Sequence, residues 1–303
     1  MYERILVPLD GSEVAEVALP CAEQLAGRLG SEIILMSVSH SAEEQDRRAF
    51  VSYLRKTVDA AKERARMYLE KPAREAIRIE STILVGDPAE GIVDYADKGD
   101  IGLIVMATHG RSGIRRWALG GVADKVLRAT KRPVVLIRAK GARPDVRDKG
   151  VLSRALVPLD GSKESETVIL YIENLAPRLG TEVTLLQVVA VAYHVYISGD
   201  APAQIPYTSE EMELLKVSAG SYLEKVGSGL KEKGITTKYE VRVGAAGQEI
   251  INLADEINAD MVAMSTHGRS GVGRWVFGSV AERVVRSGNT PVLLVRVPGA
   301  STE

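Results

Sequence analysis

Two aspartates and two glycine-rich segments are the residues of this sequence whose types and spacing suggest a binding site. Asp10 and Asp160 each stand directly after a short apolar run and directly before Gly-Ser. The glycine-rich segments are Thr108–Gly121 and Thr266–Ser279. Glycines let backbone N–H groups approach an anion without obstruction by a Cβ atom. A carboxylate nearby can accept hydrogen bonds from hydroxyl groups or help to hold a hydrated divalent cation.

The chain contains one domain sequence twice. Met106–Arg138 returns as Met264–Arg296 with about half of the aligned positions identical, which is the mark of an internal repeat. Ile5–Ser12 returns as Ala155–Ser162. We therefore predict a first domain over 1–140, a linker over 141–152 and a second domain over 153–298.

Each half alternates apolar strands with helices. Near-continuous apolar strands separated by helices are typical of a parallel sheet that is covered on both faces. We expect two α/β domains, each an open five-stranded parallel sheet of order 3-2-1-4-5. Ser12 is expected to cap a helix that runs to about Leu29, where Gly30 ends it. The second half is longer between its second and third strands, and the extra residues are expected to enlarge the loop Val191–Thr208.

The polar features all follow the carboxyl ends of predicted strands. Asp10 and Asp160 end the first strand of each half, Val38 and Val188 end the second, and the glycine-rich segments leave the fourth. If the first and fourth strands are neighbours, their loops diverge and form a crevice at the edge where open α/β sheets bind ligands. The glycine-rich segment then opens a helix, whose N-terminal amides favour an anion. The combination suggests a nucleotide.

The chain resembles a tandem universal stress protein, and the resemblance covers nearly all of both halves. The nucleotide pattern of that family is Gly, two residues, Gly, nine residues, Gly, and then Ser or Thr. The second half matches this pattern at Gly268, Gly278 and Ser279 but has Ser265 in place of the first Gly.

The first half departs further from the family pattern. It keeps Gly110 and Gly120 but has Ala107 in place of the first Gly and Gly121 in place of the hydroxyl residue. Gly121 supplies a backbone N–H without a hydroxyl, so we expect the first half to bind a nucleotide more weakly than the second or not at all.

The resemblance implies that each half holds an adenine nucleotide (ATP, ADP or AMP), with Mg²⁺. In the second half the implied contacts are Asp160, Val188, Thr266, His267, Gly268, Gly278, Ser279 and Val280. In the first half they are Asp10, Val38, Thr108, His109, Gly110, Gly120, Gly121 and Val122. Asp160 and Asp10 are also the candidate metal contacts, acting indirectly through the magnesium–nucleotide complex.

Several of these residues also have a purely structural interpretation. The two aspartates precede Gly-Ser and can be Asx-turn residues. Ser279 and Glu282 have the spacing of a capping box, so Ser279 is expected to cap a helix. The loop histidines are better explained as neutral rings bonded to loop backbone than as general bases. The loop arginines are candidates for phosphate contacts, and solvated arginines explain them equally well; these are Arg111, Arg116, Arg269 and Arg274. The loop tryptophans, Trp117 and Trp275, are expected to pack the loop onto the domain.

The motifs of dedicated phosphate chemistry are missing. There is no Gly-x-x-x-x-Gly-Lys-[Ser/Thr] loop, no Gly-x-Ser-x-Gly elbow and no His/Asp/Glu cluster with metal-ligand spacing. We therefore favour an ATP-binding stress-response or regulatory protein without catalytic residues and with slow hydrolysis at most. A nucleotide-free interaction module with vestigial sites is the alternative, and a slow ATPase or adenylating enzyme is a weaker one.

Composition and charge limit the classes of partner that the chain is expected to bind. Lys and Arg total 39 and Asp and Glu total 40 in 303 residues, so no basic field exists to attract nucleic acid or a membrane surface. The N-terminus enters a strand at once, Cys21 stands alone, and we expect a cytoplasmic protein. The last strands, Pro133–Arg138 and Pro291–Arg296, are apolar and would be exposed sheet edges, so we expect them to pair within the chain. A homodimer of two chains is compatible with the sequence, which does not fix it.

Overall fold

The computed structural model describes residues 2–40, 43–66, 77–110, 119–138, 152–190, 193–198, 201–268 and 278–297. The predicted linker lies outside these residues except for Leu152. The division of the chain into 1–140, 141–152 and 153–298 therefore stays a prediction.

The first half contains five strands and the helices between them. The elements are β1 (Arg4–Pro8), α1 (Glu13–Glu16), α2 (Leu19–Leu29), β2 (Glu32–Ser39), α3 (Glu44–Arg66), β3 (Ile79–Val85), α4 (Pro88–Lys98), β4 (Leu103–Ala107), α5 (Gly121–Ala129) and β5 (Val134–Ile137).

The second half repeats this order with two additional strands. The elements are β6 (Arg154–Pro158), α6 (Lys163–Leu179), β7 (Glu182–Val189), β8 (Tyr193–Ser198), β9 (Ala201–Pro206), α7 (Ser209–Glu232), β10 (Thr237–Val243), α8 (Ala246–Glu256), β11 (Met261–Ser265), α9 (Ser279–Ser287) and β12 (Val292–Val295).

The strands form one ten-stranded sheet of order β10-β7-β6-β11-β12-β5-β4-β1-β2-β3. Each half is a parallel sheet of order 3-2-1-4-5, which confirms the predicted fold class. At the centre of the sheet β5 and β12 lie side by side and pair antiparallel, with Leu293 opposite Val135.

Two apolar layers cover the sheet. Successive residues of β2 point to opposite faces, as strand geometry requires: Ile33 and Leu35 pack with α1, α2 and α3, whereas Ile34 and Met36 pack with α4 and α5. The same arrangement recurs in the second half, and the buried residues of each layer form a cluster that extends through both halves. No helix in the described part of the chain is both long and apolar enough to cross a bilayer.

The helix after the first strand differs between the halves. Ser12 caps its start, because its Oγ accepts the N–H of Ala15 at 3.2 Å. The single helix expected to reach Leu29 is instead divided into α1 and α2, and Pro20 stands in the first turn of α2, where its missing N–H costs no helical hydrogen bond. The second half has Leu170 at the corresponding position, and α6 runs unbroken.

The expected loop between 191 and 208 contains regular structure. In its described part, β8 and β9 pair antiparallel, from Tyr193 opposite Pro206 to Ser198 opposite Ala201. The extra residues therefore lie between the second and third parallel strands of this half, as expected, and they form a paired hairpin there. The sequence offers the β-branched and aromatic residues of Tyr193–Ser198 as the local reason for a strand.

The pairing of β5 with β12 generates a prediction about stability. The side chain of Leu293, on β12 beside β5, is 0% exposed, whereas that of Leu214 on α7 is 70% exposed. Leu293→Ala should lower the free energy of unfolding by about 2–5 kcal/mol, because it leaves a cavity at the junction. Leu214→Ala, the matched control, should change it by less than about 0.5 kcal/mol. Urea denaturation followed by circular dichroism measures both, and equal effects would contradict the packing described here.

Candidate functional site

The two aspartates close identical turns at the carboxyl ends of β1 and β6. Oδ1 of Asp10 accepts the backbone N–H of Ser12 at 3.0 Å and the Ser12 hydroxyl at 2.6 Å. Oδ1 of Asp160 accepts the same two groups of Ser162 at 3.0 and 2.5 Å. The structural interpretation of these residues as Asx-turn residues is confirmed. This bonding orients the second carboxylate oxygen of each aspartate away from the turn.

The second carboxylate oxygen lies against the glycine-rich segment. A Cβ atom placed on Gly110 would be 2.2 Å from Oδ2 of Asp10, and one placed on Gly268 would be 2.2 Å from Oδ2 of Asp160. Only glycine allows this approach. The loops after the first and fourth strands therefore touch in each half, as expected for neighbouring strands at a switch point.

The last glycine of each pattern closes the base of its loop. The N–H of Gly120 donates to the carbonyl oxygen of Thr108 at 2.8 Å, and that of Gly278 donates to Thr266 at 2.9 Å. A Cβ at either glycine would lie 2.8 or 2.7 Å from the same carbonyl oxygen. Between these closures, residues 111–118 and 269–277 are outside the described part of the chain. They include the candidate residues Arg111, Arg116, Arg269, Arg274, Trp117 and Trp275.

The helices α5 and α9 begin directly after the closures. Gly120 and Gly278 are the N-cap residues, and neither helix has a side-chain cap hydrogen bond. The predicted capping box of Ser279 was therefore wrong: Ser279 is the first helical residue. The physical reason is that the N–H of Gly278 bonds to Thr266, outside the helix, and Gly278 keeps a non-helical backbone conformation.

The position of Gly121 is open. A Cβ atom there would meet no heavy atom within 4 Å. A side chain such as the one that Ser279 carries in the second half would therefore fit at this position without displacing protein atoms.

The loop histidines bond to the preceding hydroxyl. Thr108 Oγ1 lies 3.0 Å from Nδ1 of His109, and Thr266 Oγ1 lies 3.1 Å from Nδ1 of His267. Ser265 adds a bond from its hydroxyl to the carbonyl oxygen of His267 at 2.5 Å, which Ala107 cannot provide in the first half. Nε2 of His109 is buried and has no hydrogen-bond partner among the described residues.

In the first domain these residues surround one cavity of about 470 Å³. All eight residues predicted for this half line it: Asp10, Val38, Thr108, His109, Gly110, Gly120, Gly121 and Val122. The volume lies within the range of 300–1,000 Å³ that is typical of small-molecule sites. In the second domain the structure brings together Asp160 with Gly268 and Thr266 with Gly278 in the same way.

Sequence reasoning missed the apolar walls of the cavity. They include Met36, Phe50, Pro88, Ile92 and Met106. Met36 stands two residues before Val38 on β2 and so shares its face of the sheet, a signal that could have identified it. Phe50 lies on the long charged helix α3, where no local pattern marks it.

A tyrosine–glutamate pair recurs behind each turn. The Tyr53 hydroxyl donates to Glu16 Oε1 at 2.9 Å, and the Tyr222 hydroxyl donates to Glu166 Oε1 at 2.9 Å. Burial, followed by the bond to the glutamate, raises the pKa of both tyrosines well above the ordinary value. Both hydroxyls therefore stay protonated donors near neutral pH.

The site offers few metal ligands. Among the described residues no three His, Cys, Asp or Glu side chains lie close enough to hold a metal ion together. Mg²⁺ prefers near-octahedral oxygen coordination and usually takes one or two carboxylates together with substrate phosphates. Asp10 and Asp160 fit that limited role, in which the phosphates of a ligand supply the other oxygens.

Comparison with known proteins gives a consistent match across both halves. The model of the universal stress protein family matches residues 1–138 and 152–296. A universal stress protein of Mycolicibacterium smegmatis is 25% identical over 307 residues, covering 96% of this chain and 96% of its own length. One of Methanocaldococcus jannaschii is 31% identical over 150 residues, covering 50% of this chain and 85% of its own length.

A solved structure shows the same fold over the whole chain. The crystal structure of a universal stress protein from Archaeoglobus fulgidus has a TM-score of 0.63 at 20% identity, covering 98% of this chain and 99% of its own. At this identity the likeness concerns the fold alone.

The contact between aspartate and glycine generates a prediction. Gly110→Ala should lower the free energy of unfolding by about 1–3 kcal/mol, because its Cβ would overlap Oδ2 of Asp10. Gly121→Ala, the matched control in the same segment, meets open space and should not destabilise. In an Asp10→Ala background the cost of Gly110→Ala should largely disappear, which a double-mutant cycle measured by urea denaturation can show. The same cost in both backgrounds would mean that the aspartate does not impose the glycine.

Proposed function

The chain belongs to the universal stress protein family, and we propose that it is a regulatory protein of the stress response that binds an adenine nucleotide, ATP in the first place, in its switch-point crevices. The proposal includes a magnesium ion bound through the nucleotide. It also includes the interpretation of the β5–β12 pairing as the contact that lets the two halves act as a dimer within one chain. Both of these strands are already paired, so a homodimer of two chains would need another surface.

One observation carries the proposal: the first-domain cavity combines apolar walls with a glycine cradle at a helix N-terminus. Met36, Val38 and Met106 offer an apolar surface suited to a base. Gly120 and Gly121, where α5 begins, line the same cavity, and helix N-termini favour phosphate. Asp10 lines the same cavity, and its carboxylate can accept hydrogen bonds from ribose hydroxyls. A nucleotide combines an apolar base, hydroxyl groups and anionic phosphates.

We assign the stronger site to the second domain. Its aspartate, threonine and two glycines make the same contacts as those of the first domain. Ser279 adds a hydroxyl at the first helical residue, where Gly121 has none. A hydrogen bond from this hydroxyl to phosphate is charge-assisted and so belongs to the stronger class.

A reciprocal exchange of these two residues tests the assignment. Ser279→Ala should weaken ATP binding in the second domain by about one to two decades, the value of one hydrogen bond to a charged group. Gly121→Ser should strengthen binding in the first domain by a comparable factor, since the position is open. Isothermal titration calorimetry with magnesium and ATP measures both affinities.

The control for the exchange is Gly121→Ala, which changes helix propensity without adding a hydroxyl. Equal affinities for Gly121→Ser and Gly121→Ala would remove the hydroxyl from the proposal. Two equal sites in the unmodified protein would contradict the assignment to the second domain. Absence of ATP binding would favour the alternative, a nucleotide-free interaction module, and mass spectrometry of gently unfolded purified protein would then find no co-purified ATP or ADP.

We further propose that the nucleotide acts as a bound ligand and that its turnover is slow. The carboxylates of Asp10 and Asp160 are held by Ser12 and Ser162. General-base help requires the base to reach the attacking water. The described residues that line the first-domain cavity include no lysine or arginine. Phosphoryl-transfer sites depend on such positioning and charge stabilisation.

Single-turnover hydrolysis with protein in excess over ATP checks this. We expect a rate at least about a hundredfold below the 1–100 s⁻¹ of protein kinases. At protein concentrations that keep ATP bound, Asp160→Asn, with Asp10→Asn as its counterpart in the first domain, should leave that slow rate within about threefold, since neither carboxylate is expected to act as a base. Fast hydrolysis abolished by Asp160→Asn with binding retained would show that the protein is an ATPase.

A further inference from the structure

The junction between the halves carries a reciprocal pair of arginine contacts outside the crevices. Nη1 of Arg138, the residue after β5, donates to the carbonyl oxygen of Gly288 at 3.0 Å. Nη1 of Arg296, the residue after β12, lies 3.2, 3.3 and 3.4 Å from the carbonyl oxygens of residues 128, 129 and 130. Each arginine therefore reaches from its own domain to the end of a helix in the other.

The helices that receive these contacts are the two that open at the crevices. Thr130 is the C-cap residue of α5 and Gly288 that of α9. The opposite ends of the same helices begin at Gly121 and Ser279, beside the glycine closures. Each helix has only nine residues, so a displacement of one end also moves the other.

The antiparallel junction explains why the arginines cross. In a parallel α/β domain each helix runs back against its strands, so α5 begins at the crevice edge of the first domain and ends at the opposite edge. Because β12 runs antiparallel to β5, its own carboxyl end lies at that opposite edge. Arg296 follows β12 and so arrives beside the C-terminal turn of α5, and Arg138 reaches α9 in the same way.

We propose that Arg296 of the second domain is a positioning residue for the nucleotide site of the first, and that Arg138 is a positioning residue for the site of the second. The inference rests on the proposed nucleotide binding. The last carbonyl groups of a helix lack partners within it and carry partial negative charge, so a guanidinium there satisfies and stabilises them. Such short helices depend on tertiary contacts for their order. The arginine therefore fixes the helix whose first amides hold phosphate.

The chain supplies a matched control on the other face of the sheet. Nη2 of Arg178 donates across the same junction to the carbonyl oxygen of Leu29 at 2.6 Å, and Nη1 of Arg28 donates to Leu179 at 3.0 Å. Arg178 holds the end of α2, which starts at Leu19 and is separated from the crevice turn by α1. Arg178→Met therefore removes an interdomain arginine bond of the same kind whose acceptor helix, α2, does not open at a crevice. Arg178 itself lies in the last turn of α6, at the end opposite to the Asp160 turn.

Hydrogen–deuterium exchange of the full chain, titrated with magnesium and ATP, tests the proposal because it follows the first turns of α5 and α9 separately. Arg296→Met should raise the ATP concentration for half-protection of α5 by about two- to tenfold and leave α9 unchanged. Arg138→Met should do the reverse. Arg296→Lys and Arg138→Lys, which keep the charge and a donor, should restore most of the loss. Arg178→Met should shift neither helix.

The outcomes separate this inference from the function on which it rests. If ATP protects neither helix in the unmodified protein, the nucleotide proposal fails. Exchange measured without ATP then tests the crossed arginine contacts alone: Arg296→Met should still speed exchange in α5 and leave α9 unchanged. Shifts confined to the mutated residue's own domain would overturn the crossed assignment. Equal shifts in both helices, or the same shifts in Arg178→Met, would reduce the arginines to general stabilisers of the junction.

Discussion

The crevices depend on one steric constraint, the contact of an aspartate oxygen with a glycine Cα. Asp10 and Asp160 are each fixed by a Gly-Ser turn, and each places its second oxygen where Gly110 or Gly268 passes. Because no side chain fits between them, the loop after the fourth strand lies directly against the loop after the first. The loop base is then closed through the next glycine, and the site helix starts from that closure. The fold thus sets the position of the helix amides before any ligand is present.

The two halves share this frame and differ in what they attach to it. The second half adds hydroxyls at Ser265 and Ser279, whereas the first has Ala107 and Gly121. It also inserts the pair β8–β9 between the strand that ends at Val189 and the following helix. These differences leave the shared contacts unchanged to within about 0.1 Å in hydrogen-bond length. In the described part of the two crevices, the halves therefore differ in side chains and share these backbone contacts.

Much of the fold could be read from the sequence because the strands of a parallel sheet are apolar on both faces. Ile33–Val38 and Leu103–Ala107 show this pattern plainly, and the repeat allowed each half to check the other. The helix predicted after β1 was too long, although Pro20 could have indicated that it divides into α1 and α2. The start of α9 was misplaced by one residue because a tertiary bond to Thr266 decides it, and local propensity does not contain that bond. The contribution of Phe50 to the cavity wall could not be predicted, because it depends on how α3 crosses the sheet.

The antiparallel pairing of β5 with β12 has a geometric consequence. Parallel strands present their carboxyl ends at one edge of a sheet, so reversing the direction at the centre turns the second domain's crevice to the opposite edge. The two crevices therefore open at opposite edges of one continuous sheet. Ligands bound in them are separated by at least the length of the strands, which exceeds the electrostatic screening length of about 8 Å in physiological salt. A flat surface that covers one opening therefore leaves the other accessible to solvent.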